Sequence, residues 1–412
     1  APAPSAPSGA SPAPSGPAAA KFRKAPIPLV EVDDDSKFSV NPEAREILEG
    51  LRGKVCVVSV AGLYRTGKSS LVNFLLDADS GFTVGPTVRR CTRGIWFWGS
   101  PRRAKLPSGE PCWVVVLDTE GLGGLEADQH YDTRIFSLAT LLCSTLVYNS
   151  LGSIDEGAIS NLSFVANLSQ HIRVSDDGGD GDLDAHEYHK FFPSFVWVVR
   201  DFALDLVDDY GTAISSDDYL ERALATQVGF DPATTERNRV RQMMTAFFTE
   251  RKCFPLVRPL LDESKLQEID KVGFANLRGE FKEGVDALKA HLYESHLRPK
   301  EIHGRPLNGA SFVGLVEQYI AAIEGGSVPT ISTAWEEVMV RECGDARDAG
   351  LAAYDAAMAS DDAVRSAEKL HRAHAAALKA ATSTFKARAG GDQAAGYQEE
   401  MEDEILVRFG AL

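Results

Sequence analysis

Gly62-Leu-Tyr-Arg-Thr-Gly-Lys68-Ser69 spaces two glycines, a lysine and a hydroxyl as G-x-x-x-x-G-K-[ST]. Glycines in those places let successive backbone N–H groups curl around an anion, and a helix opening at the lysine adds its positive dipole end. The chemistry implied is phosphate binding. Lys68 is placed to reach the β- and γ-phosphates, and the Ser69 hydroxyl to bind Mg²⁺. Gly62, Leu63, Tyr64, Arg65, Thr66, Gly67 and Ser70 complete the expected cradle. The motif recurs by chance, so its context decides. Here Val55-Cys-Val-Val-Ser-Val60 reads as a buried strand before it, and residues 69–77 as a helix after it.

Asp118-Thr-Glu-Gly121 follows a second apolar run, Trp113-Val-Val-Val-Leu117. An acid at that strand end can hold a Mg²⁺ shell through water, and Gly121 can offer its N–H to a γ-phosphate. Leu122 stands where a small GTPase carries a water-orienting Gln, so water must be positioned by another group. Glu120 is one candidate; its other reading is an ordinary exposed switch residue. Between the two motifs, Arg89-Arg-Cys-Thr92-Arg-Gly94 offers Thr92, ahead of Thr87, as a second hydroxyl for Mg²⁺ and a sensor of the γ-phosphate.

The chain contains no Asn/Thr-Lys-x-Asp tetrapeptide, the usual guanine-reading motif. A third buried run, Phe195-Val-Trp-Val-Val199, ends instead on Arg200-Asp201. A carboxylate there can accept from guanine N1–H and the N2 amino group together, and adenine leaves those lone pairs unmatched. Arg200 can lay its stem or guanidinium plane against the ring. The alternative is a structural ion pair at a strand end.

The elements that must carry these residues follow from apolar patterning. From about Phe38 to Pro306, continuous β-branched runs alternate with amphipathic stretches. That predicts an α/β fold: a mainly parallel sheet flanked by helices. The apolar stretch Ile135–Tyr148 is expected as a buried helix within a crossover over 133–147; it is too short and too polar to span a bilayer. After Arg305-Pro306 the strand signal stops. Leu315, Tyr319, Ala322 and Ile323 take helical spacing, as do Trp335, Val338 and Met339. Three regions are therefore expected: a disordered Ala/Pro/Ser-rich tether over 1–35, a nucleotide domain over 36–305 that folds alone, and an all-helical segment over 306–412 that continues past Leu412. Asp176–Asp184, with five Asp, reads as a solvated insertion and not a calcium loop, because Ala185 and Phe191 occupy the places of the required Gly and Glu.

The composition is that of a globular chain, 44% hydrophobic and 25% charged, with formal charge −16. Such acidity disfavours nucleic acid and anionic lipid without a long basic patch, and none is evident. Six cysteines without C-x-x-C spacing read as reduced thiols. A cytoplasmic location is expected, with the nucleus as the other compartment allowed.

Together these residues resemble the guanylate-binding protein family of large, dynamin-superfamily GTPases. The family's motifs stand here as Gly62-Leu-Tyr-Arg65-Thr-Gly-Lys-Ser69, Cys91-Thr92-Arg-Gly-Ile-Trp96, Leu117-Asp-Thr-Glu-Gly-Leu122 and Trp197-Val-Val-Arg200-Asp201-Phe. Val147-Tyr-Asn-Ser150, Ile154-Asp-Glu and Cys253-Phe-Pro-Leu-Val-Arg258-Pro259 also look like the family, the last lying just before its guanine-capping region. The resemblance covers most of residues 36–400. Arg90-Cys91-Thr92 and Ile154-Asp155-Glu156 look more like its plant-type branch.

The resemblance implies Mg²⁺-dependent GTP hydrolysis and a nucleotide-dependent homodimer or higher assembly. It also implies that Arg65 acts as an arginine finger in cis and that Arg258 belongs to the nucleotide site. Two departures stand out: Arg90 replaces a small hydroxyl residue, and Thr245-Ala246 replaces a basic pair before Phe247-Phe248. The expected partners are GTP or GDP and a second copy of the chain, with no nucleic acid and no membrane span. The competing expectation is a GTP-gated oligomerising scaffold that hydrolyses weakly or not at all. Leu122 and Arg90 favour the scaffold and Arg65 the hydrolase.

Overall fold

A computed structural model describes residues 22–78, 81–82, 93–122, 129–166, 191–229, 231–266, 269, 272–359, 366–391 and 393–411. The sheet has nine strands: β1 (Pro26–Val32), β2 (Phe38–Val40), β3 (Lys54–Gly62), β4 (Ile95–Trp98), β5 (Arg102–Lys105), β6 (Pro111–Thr119), β7 (Thr145–Leu151), β8 (Ser194–Arg200) and β9 (Arg251–Leu256). Strands β6-β3-β7-β8-β9 run parallel in that order. Antiparallel β4 and β5 pair with the free side of β6, and β1 and β2 continue outward from β4.

The continuous apolar runs take this form because each is buried on both faces. Along β3, Val55, Val57 and Ala61 enter one core while Cys56, Val58 and Val60 enter the other. β6 and β8 divide likewise: Trp113, Val115, Leu117, Phe195, Trp197 and Val199 point to the first core, Val114, Val116, Val196 and Val198 to the second. Helices α1 (Pro42–Glu49) and α3 (Gln129–Leu142) cover the first face, and α2 (Lys68–Leu76) and α4 (Gly279–Ala290) the second. Asn41 starts α1, its side chain accepting from the Ala44 N–H at 3.0 Å with Pro42 at the first turn.

Two expectations change here. The helix expected over 133–147 ends at Leu142, and Thr145–Leu151 is the central strand β7, between β3 and β8. A largely apolar run, broken here only by small hydroxyl residues, carries no clear period that separates a buried helix from a buried strand. The tail expected over 1–35 contains β1, which pairs with β4 across Pro26–Val30. Its prolines lie where β2 does not reach, since β2 pairs only with Val30, Glu31 and Val32, so their missing N–H groups leave no ladder bond unmade.

The helical segment comprises α5 (Gly309–Glu324), α6 (Ile331–Met358), α7 (Ala367–Lys386) and α8 (Ala394–Gly410). Ala346, Tyr354, Ala377, Phe385, Met401 and Ile405 give it a core of its own. Helix α5, however, belongs to the sheet. Its Phe312, Val313, Leu315, Val316, Tyr319 and Ile320 share a core with Leu29 and Leu48. Gly309 permits that approach, because a Cβ there would stand 1.8 Å from the Leu48 carbonyl oxygen. No helix among the described residues is long and apolar enough to cross a membrane.

The expectation that 36–305 folds alone is revised accordingly. That span lacks β1 and exposes the ground on which α5 packs. Six buried side chains at about 1.5–3 kcal/mol each approach the whole stability of a domain. Residues 36–305 should be insoluble or molten, whereas residues 22–328 should unfold cooperatively; thermal denaturation of the two fragments checks this.

Candidate nucleotide-binding site

Strand β3 ends at Gly62, whose φ of +151° and tight setting leave room for nothing larger: a Cβ would lie 2.2 Å from the Asn149 carbonyl oxygen. The chain turns through Arg65 and Gly67, with φ of +63° and +78°, and enters α2 at Lys68. Lys68 Nζ donates to the Leu63 carbonyl at 2.9 Å, and the Thr66 hydroxyl donates to the same oxygen at 2.8 Å. From β7, the Asn149 side-chain amide donates to the Thr66 carbonyl at 2.8 Å. The loop is thus tied at both ends around the lysine. Burial lowers the Lys68 ammonium to about 8, opposed by the charges of Asp118, Glu120 and Asp132.

Asp118, at the end of β6, accepts from the Ser69 hydroxyl at 2.7 Å through Oδ2. Its Oδ1 is buried and has no hydrogen-bond partner among the described residues. Burial lifts this carboxyl to about 6 against the pull of Lys68 and Ser69. An orphaned carboxylate oxygen beside a serine hydroxyl, a lysine close by, suits a hydrated divalent ion better than a closed structural bond. The donor set therefore fits Mg²⁺ held directly by Ser69 and through water by Asp118. Ser70 is buried in the first turn of α2.

The two phosphate motifs are joined backbone to backbone. The Tyr64 N–H donates to the Leu122 carbonyl at 2.8 Å and the Leu122 N–H to the Gly62 carbonyl at 3.1 Å. Gly121 lies so close that a Cβ would come within 2.7 Å of Tyr64 Cα and 3.0 Å of Lys68 Nζ. Its backbone is therefore beside the lysine head. Glu120 is not an exposed switch residue: it is 2% exposed. Its Oε2 accepts from the Gly94 N–H at 3.1 Å and from the Tyr131 hydroxyl at 2.6 Å. Leu122 is buried as well, so its side chain does not face an attacking water.

At the same carboxyl end of the sheet, two strands along from β3, Arg200 departs from the expectation that it lies against a base. As the last residue of β8 it is buried, donates through Nη1 to the Gly67 carbonyl at 3.3 Å and sits 5.5 Å from the Phe281 ring centroid. Its guanidinium braces the phosphate loop. Asp201 next to it leaves the strand with φ of +57° and keeps 40% of its side chain exposed. Arg258 approaches it at 4.0 Å and also pairs with Glu263 at 3.2 Å. The structure thus gathers Gly62 to Ser70, Asp118, Glu120 and Gly121 around one loop, with Arg200 linking them to Asp201 and Arg258. Thr92, Thr87, Arg90 and the Asp176–Asp184 insertion lie outside the described residues.

Sequence reasoning missed Asn149, Tyr131 and Phe281. Asn149 was legible only to a reading that placed β7 as a strand. Tyr131 and Phe281 carry no spacing that sets them apart from core aromatics.

A parallel sheet with this loop at the carboxyl end of β3 and an acid at the end of β6 defines a P-loop nucleotide-binding fold of the large-GTPase class. Residues 35–301 match the family described as Guanylate-binding protein, N-terminal domain, and residues 303–412 match its C-terminal domain. The chain is 36% identical over 391 residues to Guanylate-binding protein 6 of Homo sapiens, covering 94% of this chain and 61% of that protein. It is 36% identical over 404 residues to Guanylate-binding protein 4 of Homo sapiens, covering 97% and 62%. With Guanylate-binding protein 6 of Mus musculus it shares 40% over 321 residues, 77% of this chain and 51% of the relative. The chain belongs to the guanylate-binding protein family. It spans about three-fifths of the length of the first two relatives.

Proposed function

We propose that this chain binds GTP with Mg²⁺, hydrolyses the γ-phosphoryl bond with water, and couples that cycle to self-association. The observation that carries the reading is the Lys68–Ser69–Asp118 group, its lysine and carboxylate buried, set under a glycine cradle that Gly121 closes from the second motif. Lys68 would meet the β- and γ-phosphate charge, and backbone N–H groups of the loop and of Gly121 would donate to the same oxygens. Bound Mg²⁺ would neutralise charge on the phosphate oxygens. Glu120 acts as a positioning residue by fixing Gly94, at the close of the segment that carries Thr92, which supplies the second hydroxyl for the ion. Asp201 selects guanine, with Arg258 beside it. Phosphate release from GTP and ATP, each with Mg²⁺ and with EDTA, tests the reading. Release from GTP alone, abolished by EDTA, supports it; equal release from ATP overturns the assignment of the base.

The state of Asp118 makes this site pH-sensitive in two opposed ways. Its carboxyl sits at about 6 when folded against an ordinary 3.8, so between those values the folded chain holds the proton more tightly than the unfolded one. That group's contribution to stability without ligand therefore falls as pH rises from 3.8 to 6. Ion binding needs the carboxylate and should fall in the other direction, as pH drops through 6. Titrating GTP with Mg²⁺ from pH 5 to 8 should show this loss, and Asp118→Asn should abolish the Mg²⁺-dependent part of the affinity throughout.

One observation favours the scaffold as a second reading. Leu122 spends its backbone on Gly62 and Tyr64 and buries its side chain, so no residue at that position orients water. A chain that binds GTP, assembles, and releases no phosphate at any concentration would establish the scaffold.

A further inference from the structure

At the amino ends of the parallel strands, opposite the phosphate loop, Phe191, Phe192, Pro193 and Pro299 wall a cavity of about 250 Å³ whose lining includes Arg298 and Lys300. Lys300 is 4% exposed. Its Nζ donates to the Cys143 carbonyl at 3.1 Å, and its backbone is fixed by bonds to Val55 and Leu307 at 2.8 Å each. No carboxylate among the described residues pairs with this ammonium. Arg298 is paired with Glu250, and Glu301, also on the cavity wall, is exposed to water. An ammonium has three N–H donors, and among the described residues this one uses a single neutral acceptor, the Cys143 carbonyl.

We propose that Lys300 is an acylation site, taking a small acyl group from an activated donor of the thioester or acyl-phosphate class. An amide at Nζ retains the one N–H that Cys143 requires and removes the uncompensated charge, and the cavity that Lys300 and Cys143 both line has room for a small acyl group. In the reaction the neutral amine attacks the acyl carbonyl carbon. The C–N bond forms as the C–S or C–O bond breaks, the amine gives up one proton, and the thiol or phosphate leaves. Neither oxidant nor reductant is needed.

Burial holds the Lys300 ammonium down to about 8, opposed by Cys143, whereas an ordinary lysine titrates at 10.5. At pH 7.5 its neutral fraction then exceeds that of an exposed lysine by on the order of 10²-fold. The test incubates the whole chain separately with acetyl phosphate and with acetyl-coenzyme A from pH 6.5 to 10 and follows each lysine by peptide mass spectrometry. Lys300 should acetylate at least about tenfold faster at pH 7.5 than the exposed Lys24, Lys37 and Lys369, with its rate levelling above pH 8 while theirs keep rising. Acetylation in either arm supports the proposal and names the donor class. A Lys300 left unmodified in both, or one that follows the exposed lysines to pH 10, overturns it. A second measurement reads the charge itself. A folded Lys300 at about 8 makes stability rise with pH between 8 and 10.5. Lys300→Gln should lose that rise and Lys300→Arg should not restore it; an unchanged pH dependence in Lys300→Gln overturns the premise.

Discussion

Arg65→Ala is expected to lower kcat for GTP hydrolysis by roughly 10³-fold while changing GTP affinity less than about threefold. The residue lies in the loop between β3 and α2, three positions before Lys68, so in the proposed GTP complex the chain itself holds its charge near the transferred group. It is exposed, with its guanidinium carbon 5.9 Å from the Tyr64 ring centroid, in a position to be reoriented by a second copy docking over the site. If docking swings it in, wild-type specific activity rises with protein concentration and that of the mutant stays flat. The backbone supplies a sharper control. Arg65 adopts φ of +63°, a conformation that costs an L-residue about 1 kcal/mol and glycine almost nothing. Arg65→Gly should therefore hold or raise thermal stability while losing the same turnover as Arg65→Ala. Rates for the three proteins across a tenfold range of concentration decide the matter. Full, concentration-dependent turnover in either mutant would remove Arg65 from the mechanism.

The parts of this site that were legible in the sequence are those whose chemistry is written in consecutive residues. Gly62 to Ser69 and Asp118 to Gly121 are local, and β3, β6 and β8 announce themselves as β-branched runs too apolar for any half-exposed element. What escaped depends on contacts between distant segments. β7 escaped because the Ser and Thr scattered through the largely apolar Ile135–Tyr148 mark no change of period, and the turn at Cys143-Ser144 contains neither Gly nor Pro. Asn149 went with it, although its amide fixes Thr66 across 83 residues of chain. For Glu120 the sequence leaves a water-positioning role and an exposed switch residue both open, since carboxylates are mostly exposed. Its burial is bearable because Gly94 and Tyr131 supply donors that the local sequence does not display. Arg200 shows the same limit: strand-end spacing located it correctly, but only the tertiary fold shows that it faces Gly67. Helix α5 was recognised as a helix from its period, yet nothing in that period states which body the apolar stripe will join.

Asp201→Asn is expected to weaken GTP binding by about 2–3 kcal/mol, a loss of roughly 30- to 150-fold, with little change in phosphate-loop contacts. The substitution is close to isosteric and suits the backbone: Asp201 sits at φ of +57°, and Asn is among the residues most tolerant of that region. A fall in affinity therefore reports on the carboxylate and not on strain. The change also reverses the hydrogen-bonding sense of one side-chain atom. A carboxylate accepts from both N1–H and the N2 amino group of guanine, while an amide offers one acceptor and one NH₂ donor. Xanthine replaces the N2 amino donor with a carbonyl acceptor, so the mutant should bind xanthosine triphosphate more tightly than wild type does as its GTP affinity falls. Arg258, 4.0 Å from Asp201, is close enough to steady the carboxylate without capping it. Arg258→Ala should consequently weaken GTP binding less than Asp201→Asn and leave the preference over xanthosine triphosphate in place. Titrating both nucleotides against the three proteins separates recognition of the base from a structural ion pair. An ion pair predicts equal losses for both nucleotides in either mutant, because removing a strut has no reason to distinguish an amino group from a carbonyl. Base recognition predicts that the two affinities move in opposite directions in Asp201→Asn alone.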